Sequence, residues 1–258
     1  MVKFGSCAGI DDMPKLAEWG FDYVELPASA VMPEATEEEF ATQRERIRGA
    51  GIVPEAYNCF LPGDLKIVGP GLDSARIDNY VRTALTRMSE LGGKVAVVGS
   101  AGSRNIPDGF SYDDAFQQLN QFFRMAGDVA KASDMYIAIE PLNSRESNII
   151  HTTVEARDLA RELGHTHVHV LADIYHMFAE QEPLTNLLVI GDYLEHVHIA
   201  TPERKAPGVE DYSFAEVFSM LKEAGYSERL SIEAGVNDYN TDMPRALAIM
   251  REEWEKAL

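Results

Sequence analysis

The sequence contains only two cysteines, Cys7 and Cys59, and no apolar run that approaches the roughly 18 residues a membrane helix needs. Two cysteines are too few for a disulfide framework. The start of the chain also lacks the basic and apolar regions of a signal peptide. We therefore expect a cytoplasmic protein that does not span a membrane.

Basic residues are scarce as well. The sequence contains 23 lysines and arginines and 42 aspartates and glutamates, so the net charge is −19. A chain of this charge repels nucleic acid unless a local patch or bound metal ions reverse the field, so we expect no nucleic-acid partner. The hydrophobic fraction of 45% and the charged fraction of 25% are typical of a globular protein, which excludes a disordered chain, a collagen and a coiled-coil rod.

Short runs of β-branched and aromatic residues alternate with longer segments of helical period, the pattern of βαβ units around a parallel sheet. The predicted strands cover residues 2–7, 23–26, 53–59, 95–99, 135–140, 168–173, 194–200 and 230–234. The clearest predicted helices cover residues 36–49, 73–91, 112–132, 154–163, 214–224 and 243–256.

Eight strand-helix units in 258 residues predict a single (β/α)8 barrel, an α/β TIM barrel that occupies residues 1–258 as one domain. The alternative is an open doubly wound sheet. Its usual Gly-x-Gly-x-x-Gly turn after the first strand is absent, because Gly99 and Gly102 follow the fourth strand instead.

Four polar side chains stand at or near the ends of the last four predicted strands: Glu140, Asp173, His198 and Glu233. Their separations of 33, 25 and 35 residues are each close to one strand-helix unit, so in a barrel the four side chains converge. Three carboxylates and one imidazole favour manganese, magnesium or cobalt, and zinc is also compatible.

Each of these residues has a simpler interpretation when taken alone. Glu140 or Glu233 could form a salt bridge at a strand end, and Asp173 could cap the next helix. His196 shares strand parity with His198 and is expected to point inward one layer lower as a structural imidazole. His176 follows Asp173 by three residues, where the chain leaves the strand, and is predicted to contact the substrate.

These residues lie in a series of short motifs: Ile139-Glu140-Pro141-Leu142-Asn143 with Glu146, Asp173-x-x-His176, His196-x-His198 with Arg204, and Ser231-Ile232-Glu233. The series resembles the xylose-isomerase-like sugar isomerase and epimerase barrels, of which the D-tagatose and D-psicose 3-epimerases are the best described. The resemblance follows strand order along the whole chain and is most specific from Ile139 to Glu233.

The resemblance implies one divalent metal ion, Mn2+ first, held by Glu140, Asp173, His198 and Glu233. It also implies that Glu140 and Glu233 exchange a proton with the substrate, while His176, Arg204 and Glu146 face the hydroxyl groups of a sugar or polyol. Because relatives are often dimers or tetramers, it further implies a homo-oligomer.

The chemistry follows from the acidity of a C–H bond beside a carbonyl group, which a metal ion increases by stabilising the developing enediolate. Two carboxylates on opposite faces can remove the proton and return it from the other side, which gives epimerisation. One group that carries the proton between adjacent carbons gives aldose-ketose isomerisation instead. The sequence does not choose between these two reactions.

Residues 65–71 differ from the serine and aspartate pattern expected in ketohexose 3-epimerases, so the identity of the sugar stays open. Related barrels include inosose dehydratases, hydroxypyruvate isomerases and enzymes that cleave carbon-glycosides, and a metal-dependent lyase on keto-polyols or keto-glycosides is the main alternative. An apurinic endonuclease is disfavoured by the charge of −19. A non-catalytic sugar-binding barrel is the fourth hypothesis.

Other candidates have weaker patterns. Residues 99–104, a turn rich in glycine and serine after the fourth strand, could bind an anion with backbone amides or serve as a plain barrel loop. Arg204 taken alone could be a surface charge, although substrate contact is favoured, and Glu146 could equally be a solvated loop acid. Glu25 near the end of the second strand could line the pocket, although buried packing explains it as well.

Overall fold

A computed structural model of the chain describes residues 1–257, in which eight parallel strands close into a barrel in chain order. Each strand pairs with the next, and the last pairs with the first. The strands are β1 (Lys3–Cys7), β2 (Tyr23–Pro27), β3 (Pro54–Asn58), β4 (Val95–Val98), β5 (Tyr136–Ile139), β6 (Val168–Asp173), β7 (Leu194–Ile199) and β8 (Arg229–Ile232). The predicted (β/α)8 barrel is confirmed.

Within the described residues, helices cover the outside of the barrel and separate consecutive strands. They are α1 (Met13–Trp19), α2 (Glu37–Arg48), α3 (Ser74–Glu90), α4 (Ala101–Arg104), α5 (Tyr112–Ala132), α6 (Thr153–Leu163), α7 (Ile174–Ala179), α8 (Asn186–Ile190), α9 (Ala215–Glu223) and α10 (Tyr239–Lys256). The six predicted helices are all present. The other four have seven residues or fewer, which is too short for a helical period to be read from sequence.

Helix starts show why these segments fold locally. The Thr36 side chain accepts a hydrogen bond from the backbone N–H of Glu39, and the Glu39 carboxylate accepts one from the backbone N–H of Thr36, which forms a capping box at the start of α2. Asp173 caps α7 in the same way, by accepting from the N–H of His176. Because Asp173 is also the last residue of β6, the strand passes directly into a helix at the mouth of the barrel.

The hydrophobic core has two parts. The larger part lies between the barrel and its helices, and a smaller group fills the barrel itself: Tyr23, Ala56, Val95, Val97, Ala138 and Leu171. Gly5 makes room for the Tyr23 ring, since a Cβ at this position would lie only 2.4 Å from it. The Tyr23 hydroxyl is hydrogen-bonded to the Ser231 hydroxyl at 2.7 Å, so a layer of polar groups lies above the apolar side chains that fill the barrel.

Five strands end one or two residues earlier than predicted, β2 ends one residue later, and two of these differences concern the site. β5 ends at Ile139 and β8 at Ile232, so Glu140 and Glu233 are the first residues beyond their strands. Each still donates one backbone hydrogen bond to the neighbouring strand: the N–H of Glu140 donates to Val98 O at 3.3 Å, and the N–H of Glu233 donates to Ile199 O at 3.2 Å. The ladder therefore fixes both backbones although the strands have formally ended.

No helix within residues 1–257 combines the length and the apolar character that crossing a membrane requires.

Candidate active site

The four residues predicted to converge do so at the carboxyl-terminal mouth of the barrel. Nδ1 of His198 lies 3.6 Å from Glu140 Oε1, 3.7 Å from Asp173 Oδ2 and 3.6 Å from Glu233 Oε2. One potential ligand atom from each residue lies within 4.8 Å of all the others. One imidazole nitrogen and three carboxylate oxygens therefore surround a common point.

Two of these atoms are buried without a hydrogen-bond partner among residues 1–257, namely Asp173 Oδ2 and His198 Nδ1. A buried polar atom that makes no bond costs about 1–3 kcal/mol, so such atoms mark places where another group is expected to bind. The donor set fits a divalent cation, because its oxygen-rich composition is the one that hard metal ions prefer.

His198 is oriented from behind by a fully buried carboxylate. Glu25 accepts hydrogen bonds from Nε2 of His196 at 2.7 Å and from Nε2 of His198 at 2.9 Å. Burial alone would raise the pKa of Glu25, but the two imidazoles overcome this effect and lower it. Glu25 is therefore ionised, and Nδ1 of His198 faces the three acids. His196 is the buried structural residue that the sequence predicted.

The site concentrates negative charge. Burial raises the pKa of Glu140, and the nearby carboxylate of Glu233 adds to this increase. Burial acts to lower the pKa of His198, yet Glu25 and Glu233 raise it well above its usual value. The site thus stabilises positive charge at its centre, carried either by a proton on His198 or by a cation.

His176 lies beside the acidic cluster and is almost completely buried. Its Nδ1 accepts bonds from the backbone N–H of Asn143 at 3.2 Å and from the Asn143 side-chain amide at 2.8 Å. The ring proton is therefore on Nε2, which has no partner within the described part of the chain and lies 3.9 Å from Asp173 Oδ2. This N–H is available to a bound molecule.

Arg204 bridges two acids at the rim of the mouth. It contacts Glu233 Oε2 at 3.1 Å and Glu146 Oε1 at 3.5 Å, and its guanidinium lies 4.7 Å from the ring centre of Tyr175. The backbone carbonyl of Arg204 accepts from the N–H of Gly235 at 2.8 Å, which ties this loop to the segment after β8. All seven residues singled out from the sequence thus meet at one mouth.

The sequence and structure match a known family. Residues 13–253 match the family model described as xylose isomerase-like TIM barrel. The chain belongs to this family. It is an enzyme of the sugar epimerase and isomerase kind.

Individual relatives of this xylose isomerase-like barrel are named as epimerases. A D-psicose 3-epimerase from Enterocloster bolteae is 26% identical over 226 residues, which cover 83% of this chain and 72% of the relative. A 3-dehydro-D-guloside 4-epimerase from Escherichia coli (strain K12) is 29% identical over 168 residues, covering 62% of this chain and 64% of the relative. A crystal structure of D-psicose 3-epimerase in the presence of D-fructose shares the fold, with a TM-score of 0.86 at 19% identity, covering 98% of this chain and 99% of that one.

Sequence reasoning missed two polar residues of this xylose isomerase-like site. The sequence predicts that Glu25 either lines the pocket or packs in the interior. It lies two residues before the end of β2, a position similar to that of His198, which lies one residue before the end of β7. Asn143 lies three residues after Glu140, and nothing in the sequence pattern indicates its function. Besides orienting His176, it donates to Glu146 Oε1 at 2.9 Å.

Proposed function

We propose that this protein is a divalent-metal-dependent epimerase that inverts a carbon atom next to the carbonyl group of a keto sugar or keto-sugar derivative. One observation carries the proposal: three carboxylates and one imidazole nitrogen meet within 4.8 Å at the mouth of the barrel. The named relatives support the substrate class, since one acts on a ketose and another on a dehydro-glycoside.

In this proposal Glu140, Asp173, His198 and Glu233 hold the cation, with Mn2+ as the first choice and Mg2+, Co2+ or Zn2+ as others that suit the donors. When bound, the cation supplies Lewis acidity to the oxygens of a carbonyl group and its neighbouring hydroxyl, which makes the intervening C–H bond more acidic. Ionised Glu25 keeps His198 in the tautomer that presents Nδ1 to the centre.

Glu233 and Glu140 are the proton-exchanging groups of the proposal. They extend from the ends of β8 and β5, so they approach a substrate from different sides of the barrel axis. One carboxylate takes the proton from the reacting carbon and the other returns a proton to the opposite face, which inverts the centre. If a single carboxylate both took and returned the proton at adjacent carbons, the product would be an aldose-ketose isomer.

The remaining residues orient the substrate. The Nε2–H of His176 and the guanidinium of Arg204 donate hydrogen bonds to carbonyl or hydroxyl oxygens, whereas Glu146 accepts one from a hydroxyl group. Arg204 also bonds to Glu233, so it holds one proton-exchanging carboxylate while it contacts the sugar.

We further propose a cytoplasmic enzyme, because Cys7 and Cys59 are both free thiols within the described residues, which suits a reducing compartment. The homo-oligomer implied by the family resemblance is tested by light scattering of the purified protein at several concentrations.

Proton NMR in heavy water tests the proposed reaction. The Mn2+-loaded enzyme is incubated with ketoses, inositol-derived ketones and 3-keto-glycosides, after which the metal is removed and the sugars are analysed. We expect deuterium next to the carbonyl group, together with an accumulating epimer. Both should be lost in Glu233→Gln and kept in Glu216→Gln, which changes an exposed glutamate on α9.

Other outcomes of this experiment contradict the proposal in distinct ways. Loss of water or of an aglycone would make the enzyme a lyase, and a product with a moved carbonyl group would make it an isomerase. Normal turnover by Glu233→Gln would remove that residue from proton exchange. Absence of deuterium exchange with every sugar, although Mn2+ binds, would reject the keto-sugar substrate class.

A further inference from the structure

The segment after β4, residues 99–104, is the turn that could bind an anion or serve as a plain barrel loop. Its last four residues form the short helix α4, and the amides of Ser103 and Arg104 donate to Ser100 O at 2.9 and 3.2 Å. These amides are therefore engaged within the segment. The segment contacts Glu140, the first residue after the neighbouring strand β5.

Gly99 faces the Glu140 carboxylate directly. A Cβ at position 99 would lie 2.0 Å from Oε2 and 2.9 Å from Cδ of Glu140, distances at which one of the groups must move. The Glu140 side chain therefore occupies the space that any other residue at position 99 would fill. The absence of a side chain at Gly99 is a steric requirement of this carboxylate position.

Arg104 holds the backbone of the same residue. Its side chain is completely buried, and Nη1 donates to Glu140 O at 2.8 Å and to Val98 O at 3.1 Å. Hydrogen bonds from charged groups are worth about 1.5–3 kcal/mol each. Arg104 thus joins the carboxyl ends of β4 and β5 where Glu140 leaves the sheet.

The segment cannot easily retreat from Glu140, because the loop after β3 holds it on the other side. Ser100 Oγ accepts from the N–H of Leu61 at 3.0 Å, and Ser103 Oγ donates to Pro62 O at 2.8 Å. Gly102 also packs closely on Gly63, because a Cβ on residue 102 would lie only 3.1 Å from the Cα of Gly63. A methyl group added at position 99 would therefore displace the carboxylate rather than the backbone.

We propose that Gly99 and Arg104 are positioning residues for Glu140, Gly99 by leaving room for its carboxylate and Arg104 by fixing its backbone carbonyl. The inference rests on the proposed role of Glu140 as a metal ligand and proton-exchanging group. It assigns residues 99–104 a task in the reaction although none of them has to touch the substrate.

The first test is Gly99→Ala, with Gly49→Ala as its matched control. Gly49 has a φ of −79°, which alanine adopts, and it ends α2 on the outside of the barrel. A misplacement of about 1 Å can cost on the order of 100-fold in rate. In Gly99→Ala we expect kcat to fall by about 10–100-fold with KM changed less than about 3-fold, and Mn2+ affinity by calorimetry to weaken by about 10-fold or more. Gly49→Ala should match the wild type in all three.

The second test combines Gly99→Ala with Glu140→Asp, which shortens the acid by one methylene and leaves space for the new methyl group. If the clash is with this carboxylate, the double variant should lose no more activity or Mn2+ affinity than Glu140→Asp alone. Because this variant relieves the clash, it also tests the inference if Gly99→Ala alone fails to fold. Losses that multiply would show that Gly99 acts elsewhere and would overturn the inference.

The controls distinguish the two proposals. Wild-type enzyme that does not bind Mn2+, or Glu140→Gln that retains normal turnover, would reject the proposed function. Inactive Glu140→Gln together with fully active Gly99→Ala would leave the proposed function intact and reject the positioning role.

Discussion

Glu25 lies 2.9 Å from Nε2 of His198 and thereby decides which nitrogen of that ring faces the acidic cluster. With the Nε2 proton bonded to Glu25, Nδ1 points toward Glu140, Asp173 and Glu233. A carboxylate behind a histidine ligand fixes the tautomer and the ring orientation and makes the ligand more basic. The arrangement at the mouth therefore depends on a residue that does not belong to the cluster itself.

Replacing Glu25 by Gln should weaken the binding of Mn2+ by about 10–100-fold, the usual effect of losing a carboxylate behind a histidine ligand. The amide offers one acceptor oxygen, whereas Glu25 accepts from both His196 and His198. Calorimetry measures the affinity. Tyr23→Phe, which removes a buried hydroxyl in the layer below, serves as the control and should bind Mn2+ normally. Equal affinity in Glu25→Gln and the wild type would contradict the orienting role.

The barrel and its acidic mouth were predictable because both follow from periodicity along the chain. Strand-helix units of regular length predict a closed barrel, and a closed barrel brings together residues at equivalent strand ends. Glu140, Asp173 and Glu233 could therefore be grouped before any distance was known. The predicted ends of β5 and β8 lie too late in the chain. Glu140 is hydrogen-bonded through its backbone N–H to only one neighbouring strand, and the sequence pattern does not distinguish such a residue from one that is paired on both sides.

The parts that could not be predicted are contacts between residues far apart in sequence. Glu25 and His198 are 173 residues apart, and nothing in the pattern near either residue indicates the other. Gly99 and Arg104 were visible as a glycine-containing turn, but the reason for the glycine is the side chain of Glu140, which directly follows the next strand. The sequence predicts which elements meet, while close packing decides which atoms touch.

Metal binding should stabilise the fold measurably. A ligand at 100 times its Kd stabilises the native state by about 2.7 kcal/mol, which raises the Tm of a protein of this size by roughly 5–10 °C. Calorimetric scans with Mn2+ and with EDTA measure this rise. Asp173→Asn keeps an oxygen that caps α7 but loses a charged ligand, so most of the rise should disappear. Asp192→Asn, at an exposed position, should retain it. An undiminished rise in Asp173→Asn would place the cation elsewhere.

Arg204→Lys should lower kcat/KM by about 10–100-fold, because a single ammonium group cannot contact Glu233, Glu146 and a substrate oxygen from one plane as the guanidinium does. The Lys side chain also stacks less well on Tyr175. Steady-state kinetics with the sugar that exchanges deuterium measures the change. Arg145→Lys, an exposed arginine on the neighbouring loop, is the matched control, and similar kinetics in both variants would contradict a substrate-contacting role for Arg204.

The opposite end of the barrel contains an ion pair whose contribution to stability should depend on pH. Glu55 accepts from Arg229 Nε at 2.8 Å and also pairs with Lys3. Burial acts to raise the pKa of Glu55, but these two cations outweigh it and lower the pKa below its usual value of 4.5. A lowered pKa means that folding favours the ionised form. The stabilisation is therefore complete above about pH 4.5 and is lost as the pH falls through the folded-state value.

Glu55→Gln should accordingly destabilise the protein by about 1.5–3 kcal/mol at pH 7, the range for hydrogen bonds to charged groups, and by clearly less near pH 3. Urea unfolding of the metal-free wild type and variant at both pH values measures the difference. Glu34→Gln is the control, since its exposed pair with Arg76 should contribute no more than about 1 kcal/mol. A Glu55→Gln effect of equal size at both pH values would mean that shape and packing, rather than charge, make this contact stabilising.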